Sequence, residues 1–135
     1  MTLKHGFHTA LESETIDNSD YRKVLYTGAH SQLVLMSLLV GEEIGLETHP
    51  DNDQFFRFES GTGLVSIDET EYQVVAGDAV IIPAGAKHNV KNTSSTEPLK
   101  MYTIYSPAHH KDKVVRHTKA EAEADAPEFD DILSE

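Results

Sequence analysis

Four side chains in one stretch of this sequence have the types and spacing to share a cation: Glu47, His49, Gln54 and His88. Glu47 and His49 stand two apart in an alternating segment, so on a strand both leave the same face while Leu46 and Thr48 leave the other. A carboxylate and an imidazole side by side on an inward face are costly unless something offsets their burial, and a divalent cation would. Gln54 begins the next segment, across a turn at Pro50-Asp51-Asn52-Asp53, and can bring an amide oxygen to the same place. His88 follows Pro83-Ala84-Gly85-Ala86-Lys87, where proline and glycine set a tight turn that aims the strand after it. Two imidazoles, one carboxylate and one amide oxygen suit a divalent transition metal such as zinc, manganese, iron or nickel.

The elements around these residues read as strands. Tyr21 to Tyr26, Ser31 to Val40, Ile44 to His49, Gln54 to Glu59, Leu64 to Ile67, Tyr72 to Val75, Ala79 to Ile82, His88 to Lys91 and Leu99 to Tyr105 are short, rich in β-branched, aromatic and Leu residues, and divided by turn residues. Asp68-Glu69-Thr70-Glu71 is a hairpin signal. Short strands at short intervals predict an all-β sandwich or barrel. Phe56 and Phe58 share the parity of Gln54 and point inward, as core or as the walls of a small apolar pocket; Phe55 and Arg57 point outward. One of Tyr102 and Tyr105 faces the cavity with its hydroxyl. The pair His109-His110, in a charged loop, is expected at the surface, as are His5, His8 and His30.

Three regions follow: an N-terminal extension over 1–20 with a helical turn near Leu11 to Glu14, a barrel over 21–107, and a tail over 108–135. In the tail, Thr118-Lys119-Ala120-Glu121 has the form of a helix capping box, and alternating alanines favour a short exposed helix that Pro127 ends. From His117 onward seven acids (Glu121, Glu123, Asp125, Glu128, Asp130, Asp131, Glu135) face one base, Lys119, so half of the formal charge of -12 lies there, as expected for a solvating tail. That charge argues against nucleic acid or an anionic membrane surface as partner. The chain has no cysteine, which excludes disulfides and thiolate sites and fits a reducing cytoplasm. No apolar run approaches a membrane span.

The stretch resembles the two sequence motifs of the cupin superfamily, a double-sheet jelly roll. The first motif is matched in spacing by Gly41-x5-Glu47-x-His49-x4-Gln54-x6-Gly61, and the second at every position by Gly77-x5-Pro83-x-Gly85-x2-His88-x3-Asn92. The resemblance implies a jelly-roll barrel (double-stranded β-helix) with a short helical acidic tail, a metal on the four named residues, and pairing of two copies through their sheets. It departs from the family in its ligands. Where the family has a first His and a later Glu, this chain has Glu47 and Gln54, so the single carboxylate has moved from the third ligand position to the first. Asp53 is the rival for the Gln54 position, though alternation turns it to the other face. The set is reminiscent of phosphomannose isomerases, with the order of Gln and Glu swapped, and the chain is similar to small single-domain cupins described as mannose-6-phosphate-isomerase-like. The activity so implied is a metal-dependent, sugar-isomerase-like reaction on a small oxygenated metabolite. The alternatives are an Fe(II)-dependent oxygenase and a non-catalytic binding module. An isomerase would need a base, for which Glu43 is the candidate by parity, and a sugar phosphate would want an Arg or Lys in the pocket, where the sequence places none.

Overall fold

The computed structural model describes residues 3–135. A helix, α1 (Leu11–Asp17), precedes nine strands: β1 (Arg22–Thr27), β2 (Gln32–Leu38), β3 (Glu47–Thr48), β4 (Asp53–Ser60), β5 (Thr62–Ile67), β6 (Thr70–Val75), β7 (Ala79–Ile82), β8 (Lys87–Asn92) and β9 (Leu99–Ser106). A two-residue strand, β10 (Val115–Arg116), and a second helix, α2 (Lys119–Ala124), complete the chain. The strands form a six-stranded sheet in the order β10-β1-β2-β9-β4-β7 and a four-stranded sheet in the order β3-β8-β5-β6. Neighbours pair antiparallel throughout, as in a jelly-roll barrel.

Alternation puts the core where the sequence predicts it. Across the larger sheet one inward row runs Val24, Val34, Thr103, Phe56 and Val80, and the facing sheet contributes Val65 opposite Val90. Val34, Leu38, Phe56, Phe58, Val65, Val90, Leu99 and Met101 are sealed completely. Each large side chain buried in this way contributes about 1.5–3 kcal/mol. On the β5–β6 turn Asp68 takes a left-handed φ of 50°, and its carboxylate accepts from the Lys87 N–H, bracing the start of β8.

Some local expectations are revised. Of the segment Ile44 to His49 only Glu47–Thr48 pairs as a strand, because Gly45, at φ 103°, turns the backbone out of register and gives its N–H to the Asn89 side chain. α1 runs further than the helical turn expected at its start. The last segment is more than a solvating tail. β10 extends the larger sheet beside β1, Ala122 of α2 is buried, and Ser134 and Glu135 bond to Thr27 and Tyr26. Thr118 caps α2 as the sequence predicts, accepting from the Glu121 N–H, whereas the Glu121 carboxylate reaches back to the N–H of His117. The acids of this segment still face solvent. Among the described residues no helix is long and apolar enough to cross a membrane.

Candidate metal centre

β3 is the edge strand of the smaller sheet, and its register with β8 sets Glu47 directly opposite His88. That pairing joins residues from the two ends of the motif region. The turn before β8 is tied to the same place from the other side, since the Gly85 N–H donates to the His49 carbonyl at 2.9 Å. Glu47, His49 and His88 therefore converge, with one donor atom from each lying within 4.8 Å of the others. Glu47 Oε2 is 3.1 Å from His49 Nε2 and 4.0 Å from His88 Nε2.

The states of His88 and Glu47 favour a cation, which would take the place of the proton that His49 Nε2 directs at Glu47. His88 Nδ1–H donates to the Ala86 carbonyl at 3.0 Å, which leaves Nε2 as the bare lone pair. That Nε2 is buried and has no hydrogen-bond partner among the described residues. Burial holds the His88 pKa below the ordinary imidazole value, so the ring is neutral. For Glu47, burial pushes the pKa up. The hydrogen bond and charge of His49, with Arg22 and His88 behind them, outweigh it and hold the carboxyl below its usual range. A carboxylate facing an unsatisfied buried lone pair is unfavourable unless a positive charge sits between them. Donors sharing one ion at about 2.1 Å stand roughly 3–4 Å apart, so this set fits a divalent transition metal with small side-chain adjustments.

Gln54 lies on β4 with only 2% of its surface exposed. Its Nε2 donates to Thr103 Oγ1 at 3.1 Å, and its Oε1 is buried with no partner among the described residues. It pairs across the ladder with Tyr105, whose ring meets His49 edge-on, so the free amide oxygen belongs to the same polar interior as the triad. Asp53 faces out of the barrel and accepts from the Ala84 N–H, bracing the turn before β8. Phe56 and Phe58 stack at 6.1 Å within the sealed core. Glu43 is set opposite Lys91 with its carboxylate 3.9 Å from Nζ, away from the triad.

Three further residues, Tyr105, His109 and His110, enter the site. Tyr105, the inward one of the two candidate tyrosines, is buried, and desolvation raises its hydroxyl well above the ordinary phenol range, so it is a fixed proton donor or acceptor. His109 and His110, expected at the surface, are instead folded over the site, because the chain after β9 turns back across the barrel mouth. The His109 ring lies 4.3 Å from that of His49, and His110 is buried with Nε2 3.2 Å from the Tyr105 hydroxyl. Burial keeps both imidazoles neutral. Arg22 takes the inward parity of β1 together with Val24 and is 7% exposed. The signal available in the sequence was this parity, within a strand otherwise apolar on that face.

Comparison with known proteins shows the family. The cupin domain family matches residues 34–105, a segment that holds the triad and Gln54. The uncharacterized protein YrkC of Bacillus subtilis (strain 168) is 45% identical over 124 residues, which cover 87% of this chain and 66% of YrkC. The uncharacterized protein L612 of Acanthamoeba polyphaga mimivirus is 47% identical over 103 residues, 74% of this chain and 64% of L612. The chain thus spans about two thirds of the length of these curated relatives. The crystal structure of BH2720 from Bacillus halodurans superposes with a TM-score of 0.87 at 45% identity, covering 90% of this chain and 96% of that one. With the family match spanning most of β2 through β9 and the jelly-roll topology observed, this chain belongs to the cupin domain family.

Proposed function

We propose that this cupin holds a divalent transition metal on Glu47, His49 and His88 and acts on a small oxygenated metabolite at the barrel mouth by sugar-isomerase-like chemistry. The observation that supports it is the buried Nε2 of His88, without a hydrogen-bond partner among the described residues and 4.0 Å from the Glu47 carboxylate. A bound metal would supply Lewis acidity toward a carbonyl and its neighbouring hydroxyl. The chain supplies the rest. His109, neutral and packed against His49, is the base placed to move a proton between adjacent carbons, a role for which Glu43 is too remote. The Tyr105 hydroxyl, held by His110, orients an oxygen of the ligand. The residues folded over the site from beyond β9 narrow the access of water.

A second reading is favoured by the donor set itself. Two histidines and one carboxylate, with the Gln54 amide drawn toward Thr103, form the ligand set of non-haem Fe(II) oxygenases. Elemental analysis of untagged protein tests what the two readings share. Bound metal is expected in the wild type and is lost in Glu47→Ala and His88→Ala; full occupancy in both variants would sink the assigned site. Isomerisation of sugars against oxygen uptake with added Fe(II) then separates the reactions, and neither activity in metal-loaded protein would leave a binding module.

A further inference from the structure

We propose that Arg22 is an anion-recognition residue, and that the ligand of the barrel mouth carries an oxyanion group, a carboxylate or a phosphate ester, which this guanidinium receives. The inference rests on the reading of the mouth as a ligand site and names the chemistry of what enters it. Arg22 is 93% buried by its 7% exposure, and its Nε has no hydrogen-bond partner among the described residues. What distinguishes it is charge: Arg57 Nε also makes no aligned hydrogen bond but lies 2.8 Å from the Glu59 carboxylate, and Arg116 lies 2.9 Å from that of Asp125. No carboxylate among the described residues stands at ion-pair distance from Arg22. The Tyr21 ring lies 5.4 Å from its Cζ.

A buried cation without a counter-charge is costly, so an unmatched one inside the barrel calls for an anion from outside. Arg22 shares the inward parity of Val24 on β1, so its side chain enters the barrel that encloses the triad. Its charge also acts on Glu47, Tyr105, His109 and His110, which supports a place near them. Of these only Glu47 is an anion, and it is engaged by His49. With a divalent cation bound, two neutral imidazoles and one carboxylate leave the centre at +1, and Arg22 adds a second positive charge. The planar fork of the guanidinium matches a carboxylate or phosphate through paired N–H bonds. The rest of the molecule works against anions, with a net charge of -12, so anion capture here has to be local to the mouth. This places in the pocket the basic residue that the sequence alone does not.

The test is calorimetric titration of the metal-loaded full chain with succinate, with inorganic phosphate, and with neutral succinamide, in the wild type, Arg22→Met and Arg22→Lys. Succinate or phosphate is expected to bind the wild type and succinamide not, and which anion binds tells carboxylate from phosphate. Arg22→Met should weaken that anion by about ten- to a hundredfold, and Arg22→Lys, which keeps the charge and loses the fork, by less. Metal content of both variants should be no lower than in the wild type, because Arg22 is not a ligand. Binding of neither anion to the wild type, or equal binding to Arg22→Met, overturns the inference and leaves the metal site standing. Absence of metal in the wild type defeats the metal reading instead, and the same titrations on the metal-free chain still decide Arg22. Should Arg22→Met not fold, the Nε–H resonance of Arg22 in wild-type protein must shift on addition of the binding anion; no shift overturns the proposal.

Discussion

Asn92, the last residue of the second motif, should be a structural clasp whose removal costs stability and leaves metal binding alone. It is 1% exposed, at the end of β8. Its Nδ2 donates to the carbonyls of Leu38 at 3.1 Å, Leu39 at 3.1 Å and Glu97 at 3.0 Å, and its Oδ1 accepts from the Ser94 N–H at 2.8 Å. One side chain thus ties the end of β2, where the first motif begins, to the loop between β8 and β9. Asn92→Ala strands these backbone groups with little access for water. At about 1 kcal/mol for each of the roughly three bonds that two amide protons and one oxygen can satisfy, the loss is about 3 kcal/mol. For a chain of this length that corresponds to a fall in Tm of roughly 10 °C. Asn92→Asp has the same shape but turns a carboxylate toward three carbonyls, and should cost a further 1–3 kcal/mol. Urea unfolding measures both, with the midpoint moving at constant m-value, and metal per folded molecule should match the wild type. An Asn92→Ala protein within about 1 kcal/mol of wild type, or an Asn92→Asp protein as stable as it, would refute this account.

Gly61 carries φ 96°, and a Cβ there would stand 2.5 Å from the Pro98 carbonyl oxygen, so Gly61→Ala should cost about 2–4 kcal/mol. Gly41, at φ 75° with nothing within 4 Å of its Cβ position, should lose only about 1–2 kcal/mol on the same change, and equal losses in urea unfolding would contradict the steric argument. Metal affinity should hold from pH 8 to 7 and fall only below the ordinary imidazole pKa of about 6.5, because His88 is neutral and Glu47 ionised before then. The metal-free protein follows the same direction. His88, His109 and His110 have lowered pKa values, so the unfolded chain takes up their protons first and stability rises with pH through that window. Exposed His117, raised by Asp20, works the other way. Metal titrations and unfolding curves from pH 5 to 8 would show it, and an affinity already falling between pH 8 and 7 would count against the assigned protonation states.

The parts of this molecule legible in sequence are those set by local periodicity and turn chemistry. Phe56, Phe58 and Gln54 share a face because a strand alternates, and Pro83 with Gly85 marks the turn that delivers His88. The convergence of Glu47 with His88 follows once spacing identifies the barrel. What stayed hidden depends on tertiary context. β10 is two residues long and carries no periodic signal. His109 and His110 stand beside Lys111, Asp112 and Lys113, a window that reads as solvated, and are buried because the chain folds back after β9. Arg22 sits next to Lys23, and the charged pair reads as a solvated start to β1 although Arg22 shares the parity of Val24.

The transposed carboxylate makes physical sense in this frame. At position 54 an anion would lie on an interior strand between β9 and β7, paired across the ladder with Tyr105 and Ile82 and almost completely desolvated. That burial would cost several kcal/mol whenever the metal is absent. At position 47 it lies on the edge strand β3, where 34% of the side chain keeps contact with solvent and His49 donates to it. The amide left at 54 is neutral, finds Thr103, and needs only one further partner for its oxygen. The exchange keeps the number of oxygen donors and the charge of the ligand set, and it lightens the load on the metal-free fold. It also moves the negative charge from an interior strand to an edge strand, where His49 and solvent share in its stabilisation.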